Sequence, residues 1–173
     1  NFIYTPLKTK SILAIIPGAV CGMLPPCIGW LAAGGRIDSI TLWSIMAIFG
    51  LWQLPHFWLI LLLYPKDYMR SKVPNMLNLF SADQLRKVLF TWVVVFAIMT
   101  FALPLLNVIL TDLAHWLVFL NALYLVCNFA YYFFLKTEFY NYKCLLVHLN
   151  GSLVFIMCLG ILDHLILHYP RFL

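Results

Sequence analysis

Charge is what this sequence lacks most. Only 10% of its 173 residues are Asp, Glu, Lys or Arg, while 64% are hydrophobic. Soluble domains carry about 25% charged residues, so a water-soluble fold would expose a large apolar surface with nothing to cover it. Paired cysteines are missing too. The five cysteines include no CxxC pair, which argues against disulfides or metal ligands. Cys21, Cys27, Cys127 and Cys158 fall in apolar runs and read as small packing residues. No signal peptide, internal repeat or second domain is evident. No charged residue lies at the middle of an apolar run, and no repeat pairs with a broken helix, which disfavours a channel or transporter.

What is present is apolar length. A spanning helix needs about 20 apolar residues, and five stretches qualify: 11–33, 40–63, 88–110, 113–135 and 144–167. The sequence therefore predicts an all-α membrane protein with five transmembrane helices, forming one domain over 1–173. Six Trp and nine Tyr suit interfacial aromatic belts. Alternate gaps hold nine and two of the eleven basic residues. The positive-inside rule then puts the N-terminus and the loop 64–87 in the cytoplasm. Location explains the net charge of +5, so no nucleic-acid partner is required. The chain opens at Asn1 on loop-like sequence, which gives the expectation of an N-terminally incomplete domain.

The stretch 49–76 organises the rest. Gln53 and His56 are three residues apart in the apolar part of the second span, so they share a helix face. Pro55 frees a backbone carbonyl near Leu51. Intramembrane polar residues are functional candidates by default; bonding to neighbouring helices is the plainer alternative. Lys66, Asp67, Arg70 and Lys72 follow where the helix leaves the bilayer. A polar pair beneath a charged mouth suits an amphiphile with an apolar tail and an anionic head. A headgroup anchor is the alternative for those charges. Met69, Val73, Met76, Leu77 and Phe80 recur at helical spacing along the loop, and Ser81 with Gln84 forms a capping-box pattern.

Elsewhere, Gly18 and Gly22 form a GxxxG that lets a neighbouring helix approach. Pro25 and Pro26 should kink or break the first span. Asn121 and Asn128 share a face of the fourth span. His148 reads mainly as an interhelical bonding group. Asp163, His164 and His168 sit far from the charged mouth and receive no chemistry.

The motifs YTPLK at 4–8, PGAVCGMLPPCIGW at 17–30, WQLPHFW at 52–58 and KDYMRSKVPNM at 66–76 together resemble the protoheme IX farnesyltransferases, or heme O synthases, of the UbiA superfamily of membrane prenyltransferases. The resemblance covers the first half of the chain. It implies a nine-helix bundle of which this chain is the latter part, with missing N-terminal helices that carry a first aspartate-rich motif. It implies that farnesyl diphosphate loses diphosphate to Mg²⁺ and basic groups. The farnesyl cation then adds to a vinyl group of protoheme IX, which is substrate rather than permanent cofactor, and water completes the new side chain. Lys66, Asp67, Tyr68, Arg70 and Lys72 become the expected catalytic residues, with Asp67 as the Mg²⁺ ligand. Gln53, His56, Trp52 and Lys8 become expected substrate-binding residues. His56 is open between orienting a propionate, touching the heme and ligating its iron. Trp52, Phe57 or Tyr68 could face a carbocation. Asn75 intervenes where the family runs Pro-Met-Leu, and Thr9-Lys10 stands where an Arg usually follows Lys8. A bacterial inner membrane is the expected location. Two competing readings are a non-catalytic heme-binding or assembly protein and a UbiA-type transferase for a quinone-like acceptor.

Overall fold

The computed structural model describes residues 15–70, 76–135 and 141–168. They fold into α1 (Ile15–Ala32), α2 (Ile40–Leu63), the short α3 (Pro65–Arg70), a 3₁₀ turn (Met76–Asn78), α4 (Ala82–Leu105), α5 (Asp112–Ala130) and α6 (Tyr142–His168). A π-helical turn at Tyr131–Leu135 extends α5. No strand is present among the described residues.

Helix α2 is the hub. It packs on α1, α4 and α6, while α5 closes a ring by packing on α4 and α6. Each ring helix turns one stripe inward. On α4 it is Leu85, Leu89, Val93, Phe96, Thr100 and Leu103, all buried, at three- and four-residue steps that keep one face on the partner. Opposite faces carry exposed Ile98, Trp116, Leu120, Leu123 and Leu162. Four helices are long and apolar enough to cross a membrane: α2, α4, α5 with its π turn, and α6. The apolar stretch of α1, Gly18–Ala32, is shorter. The cysteines expected to fill interior gaps do not do so: Cys21, Cys127 and Cys158 are exposed and Cys27 is half-buried, because they fall off the inward stripes.

Local chemistry sets the helix ends. Helix α4 starts at Ala82 rather than 88 because Ser81 and Gln84 make a full capping box, with Gln84 N donating to Ser81 Oγ (3.3 Å) and Ser81 N to Gln84 Oε1 (2.9 Å). Its first turn can then carry charge, including the Asp83–Arg86 ion pair. It ends at Leu105 rather than 110 because Asn107 turns to a φ of 54°. Asn107 N then reaches Pro104 O, and Val108 N reaches Leu103 O, the paired bonds of a Schellman ending. Helix α1 ends the same way around Gly34, at a φ of 83°, with Gly35 N bonded to Trp30 O. Pro25 and Pro26 lie inside α1 without breaking it. Beyond it, Arg36 grips Asp38 through two bonds and holds that carboxyl below its ordinary value.

Within the loop 64–87, α3 covers Pro65–Arg70, and Met69 on it is 68% exposed. Met76 and Leu77 pack against the core from a 3₁₀ turn. Val73 lies outside the described residues.

Buried polar groups on α6 fasten the ring. Asp163, 2% exposed, accepts from the backbone N–H of Leu110 (2.7 Å) and Thr111 (3.1 Å) and from the Thr111 hydroxyl. It thus satisfies donors at the start of α5 that helix geometry leaves unpaired. Asn121 donates to Ser152 (2.7 Å) across the α5–α6 seam.

Candidate active site

Helix α2 holds the polar pair. Pro55 sits inside it, and one turn brings Gln53 and His56 to the same face. His56 Nδ1 lies 2.9 Å from Asn150 Oδ1 on α6. With that carbonyl oxygen as acceptor, Nδ1 carries the proton and Nε2 keeps its lone pair. The imidazole is packed by Trp52, with ring centroids 4.6 Å apart and planes tilted by 39°, and by the edge of Phe57 at 5.8 Å. Gln53 points to α1, where Gly22 makes room for it: a Cβ there would lie 2.0 Å from Gln53 Oε1. The glycine pattern read as a helix-approach motif therefore seats a polar side chain.

Gln53 Oε1 and Trp52 Nε1 are buried and have no hydrogen-bond partner among the described residues. A buried unpaired donor or acceptor costs about 1–3 kcal/mol. Two of them, adjacent in sequence beside His56, mark a site that a polar ligand would complete.

The charged group lies at the end of α2. Lys66, Asp67, Tyr68 and Arg70 occupy α3 and are all exposed. At 1.5 Å per residue, Lys66 is about 15 Å along the chain axis from His56. The structure thus gives two levels, a packed polar pair and an open charged mouth, without contact between them. Lys66, Asp67 and Arg70 make no ion pair among the described residues. Lys8 and Lys72 lie outside those residues. No group of three His, Cys, Asp or Glu gathers among them. A single open carboxylate at Asp67 fits Mg²⁺ only where the ion's other positions come from phosphate oxygens and water, which is a common arrangement for that ion.

An apolar cavity of about 650 Å³ lies at the other end of the bundle, lined by Trp30, Thr41, Ile45, Ile109, Gly160 and His164 among others. It shares no residue with the polar pair or the mouth.

One feature of the site is not legible in the sequence: Asn150 stands two residues after His148 on α6, and only the fold pairs it with His56.

A family model for UbiA prenyltransferases matches residues 1–160. This chain belongs to the UbiA prenyltransferase family. Among curated relatives it is 47% identical over 72 residues to the protoheme IX farnesyltransferase of Geobacter sulfurreducens, covering 42% of this chain and 27% of that protein. It is 34% identical over 104 residues to the protoheme IX farnesyltransferase of Nitratidesulfovibrio vulgaris (strain DP4), covering 60% and 36%. With the protoheme IX farnesyltransferase of Aquifex aeolicus it shares 41% over 70 residues, covering 40% and 24%. The chain thus spans roughly a quarter to a third of these relatives' lengths. No solved structure matches. Family membership and the four long apolar helices make this UbiA chain an integral membrane protein.

Proposed function

We propose that this chain works in a membrane prenyltransferase that moves a farnesyl group from farnesyl diphosphate to protoheme IX, giving heme O. The observation that carries the reading is the two-level arrangement on α2 and α3, in a chain whose curated relatives bear that enzyme's name. The mouth faces the cytoplasm of a bacterial cell, at its inner membrane, and the counterpart of the relatives' remaining length completes the bundle.

In this mechanism Lys66 and Arg70, with Lys72 and Lys8, bind the diphosphate and stabilise the charge that grows as it leaves. Asp67 would hold Mg²⁺, which would supply further neutralisation of the diphosphate charge. Tyr68 stands beside Asp67 to meet the same head group. The apolar tail runs inward past α2. The faces of Trp52 and Phe57 favour developing positive charge on the farnesyl carbon. Gln53 Oε1 and Trp52 Nε1 find their missing partners in the acceptor's polar edge.

With Nδ1–H donating to Asn150 Oδ1, Nε2 of His56 is left as an acceptor. That nitrogen suits heme iron better than an ionised propionate, which offers only lone pairs.

The test is production of heme O by the full-length protein in cells that lack their own heme O synthase, read by mass spectrometry. Wild type is expected to make it and Asp67→Ala to make little. Prenylation of a quinone-like acceptor in place of heme would overturn the assignment.

A further inference from the structure

Where α5 ends and α6 begins, a second constellation lies outside the proposed catalytic residues. Cys144 Sγ is 3.2 Å from His148 Nε2, and His148 Nδ1 is 2.6 Å from the Tyr124 hydroxyl. Asn141 caps the helix by accepting from Cys144 N at 3.0 Å, which places Cys144 in the first turn of α6. All of this sits at the end of the bundle that also carries α3.

We infer that Cys144 is a nucleophilic thiol, with His148 as its base and Tyr124 as the group orienting that base, and that it accepts an acyl chain from a long-chain acyl thioester at the membrane surface. A nucleophile, a base in hydrogen-bond reach and a third group aligning the base are the recognisable parts of an activated side chain. With Nδ1–H donating to the Tyr124 oxygen, Nε2 presents its lone pair to the thiol. Among the described residues, Cys144 is the one cysteine whose side chain lies in hydrogen-bond reach of a histidine.

The acyl class follows from depth and surroundings. A juxtamembrane cysteine in the first turn of a spanning helix lies where an amphiphilic thioester places its reactive carbonyl. One turn along, exposed Val147 offers apolar surface for the attached chain, as do exposed Phe134 and Leu135 at the end of the π turn. In the reaction the thiol proton passes to His148 Nε2 and the thiolate adds to the carbonyl carbon. The bond from that carbon to the departing thiol then breaks, and the leaving thiolate takes the proton held by His148. The product is a Cys144 thioester and a free thiol.

The test incubates membranes bearing the full-length protein with an alkyne-tagged palmitoyl-CoA. Peptide mass spectrometry follows initial rates at Cys144 and at exposed Cys127 on α5, which serves as an internal reference. Cys144 should react at least about tenfold faster than Cys127, a modest share of what a positioned base contributes, and hydroxylamine should release the label. His148→Ala should bring the two rates together, and Tyr124→Phe should fall between. If His148→Ala does not fold, His148→Asn keeps a polar side chain but removes the base. Equal rates in the wild type, or an undiminished Cys144 rate in a folded His148 variant, would overturn the proposal.

Discussion

His56 Nδ1 and Asn150 Oδ1, 94 residues apart in sequence, meet at 2.9 Å and tie α2 to α6 inside the ring. The bond does two things. It joins the hub helix to the last helix, and it fixes which imidazole nitrogen is free.

Removing Asn150 should therefore weaken heme handling through His56. Groups that orient a liganding histidine typically matter by about 10–100-fold, so Asn150→Ala should lower heme affinity on the order of tenfold. Titrating detergent-solubilised protein with heme and following the Soret band measures this. A double-mutant cycle is the sharper check. If Asn150 acts through His56, then Asn150→Ala should add almost nothing in a His56→Ala background. Full additivity would mean that Asn150 acts elsewhere.

Gly22 should prove functional in a way that stability alone would not reveal. Its missing Cβ leaves room for the Gln53 amide, the flexible end of a side chain that can swing away. Gly22→Ala should then cost little stability, about 1 kcal/mol at the low end of overpacking, yet lower heme O formation about as much as Gln53→Ala does. Thermal melts and product assays on the two single variants and the double variant separate these effects. Wild-type activity in Gly22→Ala would remove Gln53 from the site.

How far the sequence could be read depends on whether a feature is local. The capping box at Ser81 is set by residues within one helical turn and is legible in the sequence. The early end of α4 was not, because apolar residues run on past it: the choice to turn at Asn107 is made by one backbone dihedral. The partner of His56 was illegible for a different reason. Asn150 is one of several polar residues on α6, and only the crossing of α2 and α6 selects it. Asp163 shows the same limit. Its composition suggested an idle group near the outer end, and its three acceptor bonds reach back more than fifty residues.

Asp163 should accordingly be a stability residue. Asp163→Ala strands two backbone N–H groups and a hydroxyl in a buried place, and each unpaired donor costs about 1–3 kcal/mol. The loss should be large, roughly 3 kcal/mol or more. Asp163→Asn retains one acceptor oxygen and should lose less. Unfolding measured in bicelles gives both values. The folded fraction of either variant should keep its activity, since Asp163 lies at the end of α6 away from α3. A selective loss of activity at unchanged stability would contradict this assignment.

The mouth supplies the hardest test of the catalytic reading, because its residues are exposed and an exposed charge is easily overvalued. Lys66 and Arg70 stand free of carboxylate partners among the described residues, so an arriving diphosphate has no internal ion pair to displace. Oriented cations aimed at a leaving group can contribute a factor of about 10²–10³ each in enclosed sites. Water screens these two, so about tenfold in kcat/KM for either Lys66→Ala or Arg70→Ala is the reasonable scale. A general loss of folding would give the same sign, so ionic strength provides the discriminating axis. The screening length falls from about 30 Å at 0.01 M to about 8 Å at 0.15 M. Wild type should lose affinity for farnesyl diphosphate over that range, and the Lys66→Ala/Arg70→Ala double variant should lose much less. If Asp67 is the proposed Mg²⁺ ligand, Asp67→Ala should act on a different axis, raising the Mg²⁺ concentration for half-maximal rate. A salt dependence unchanged in the double variant would return these charges to the role of a headgroup anchor and leave diphosphate binding to other residues.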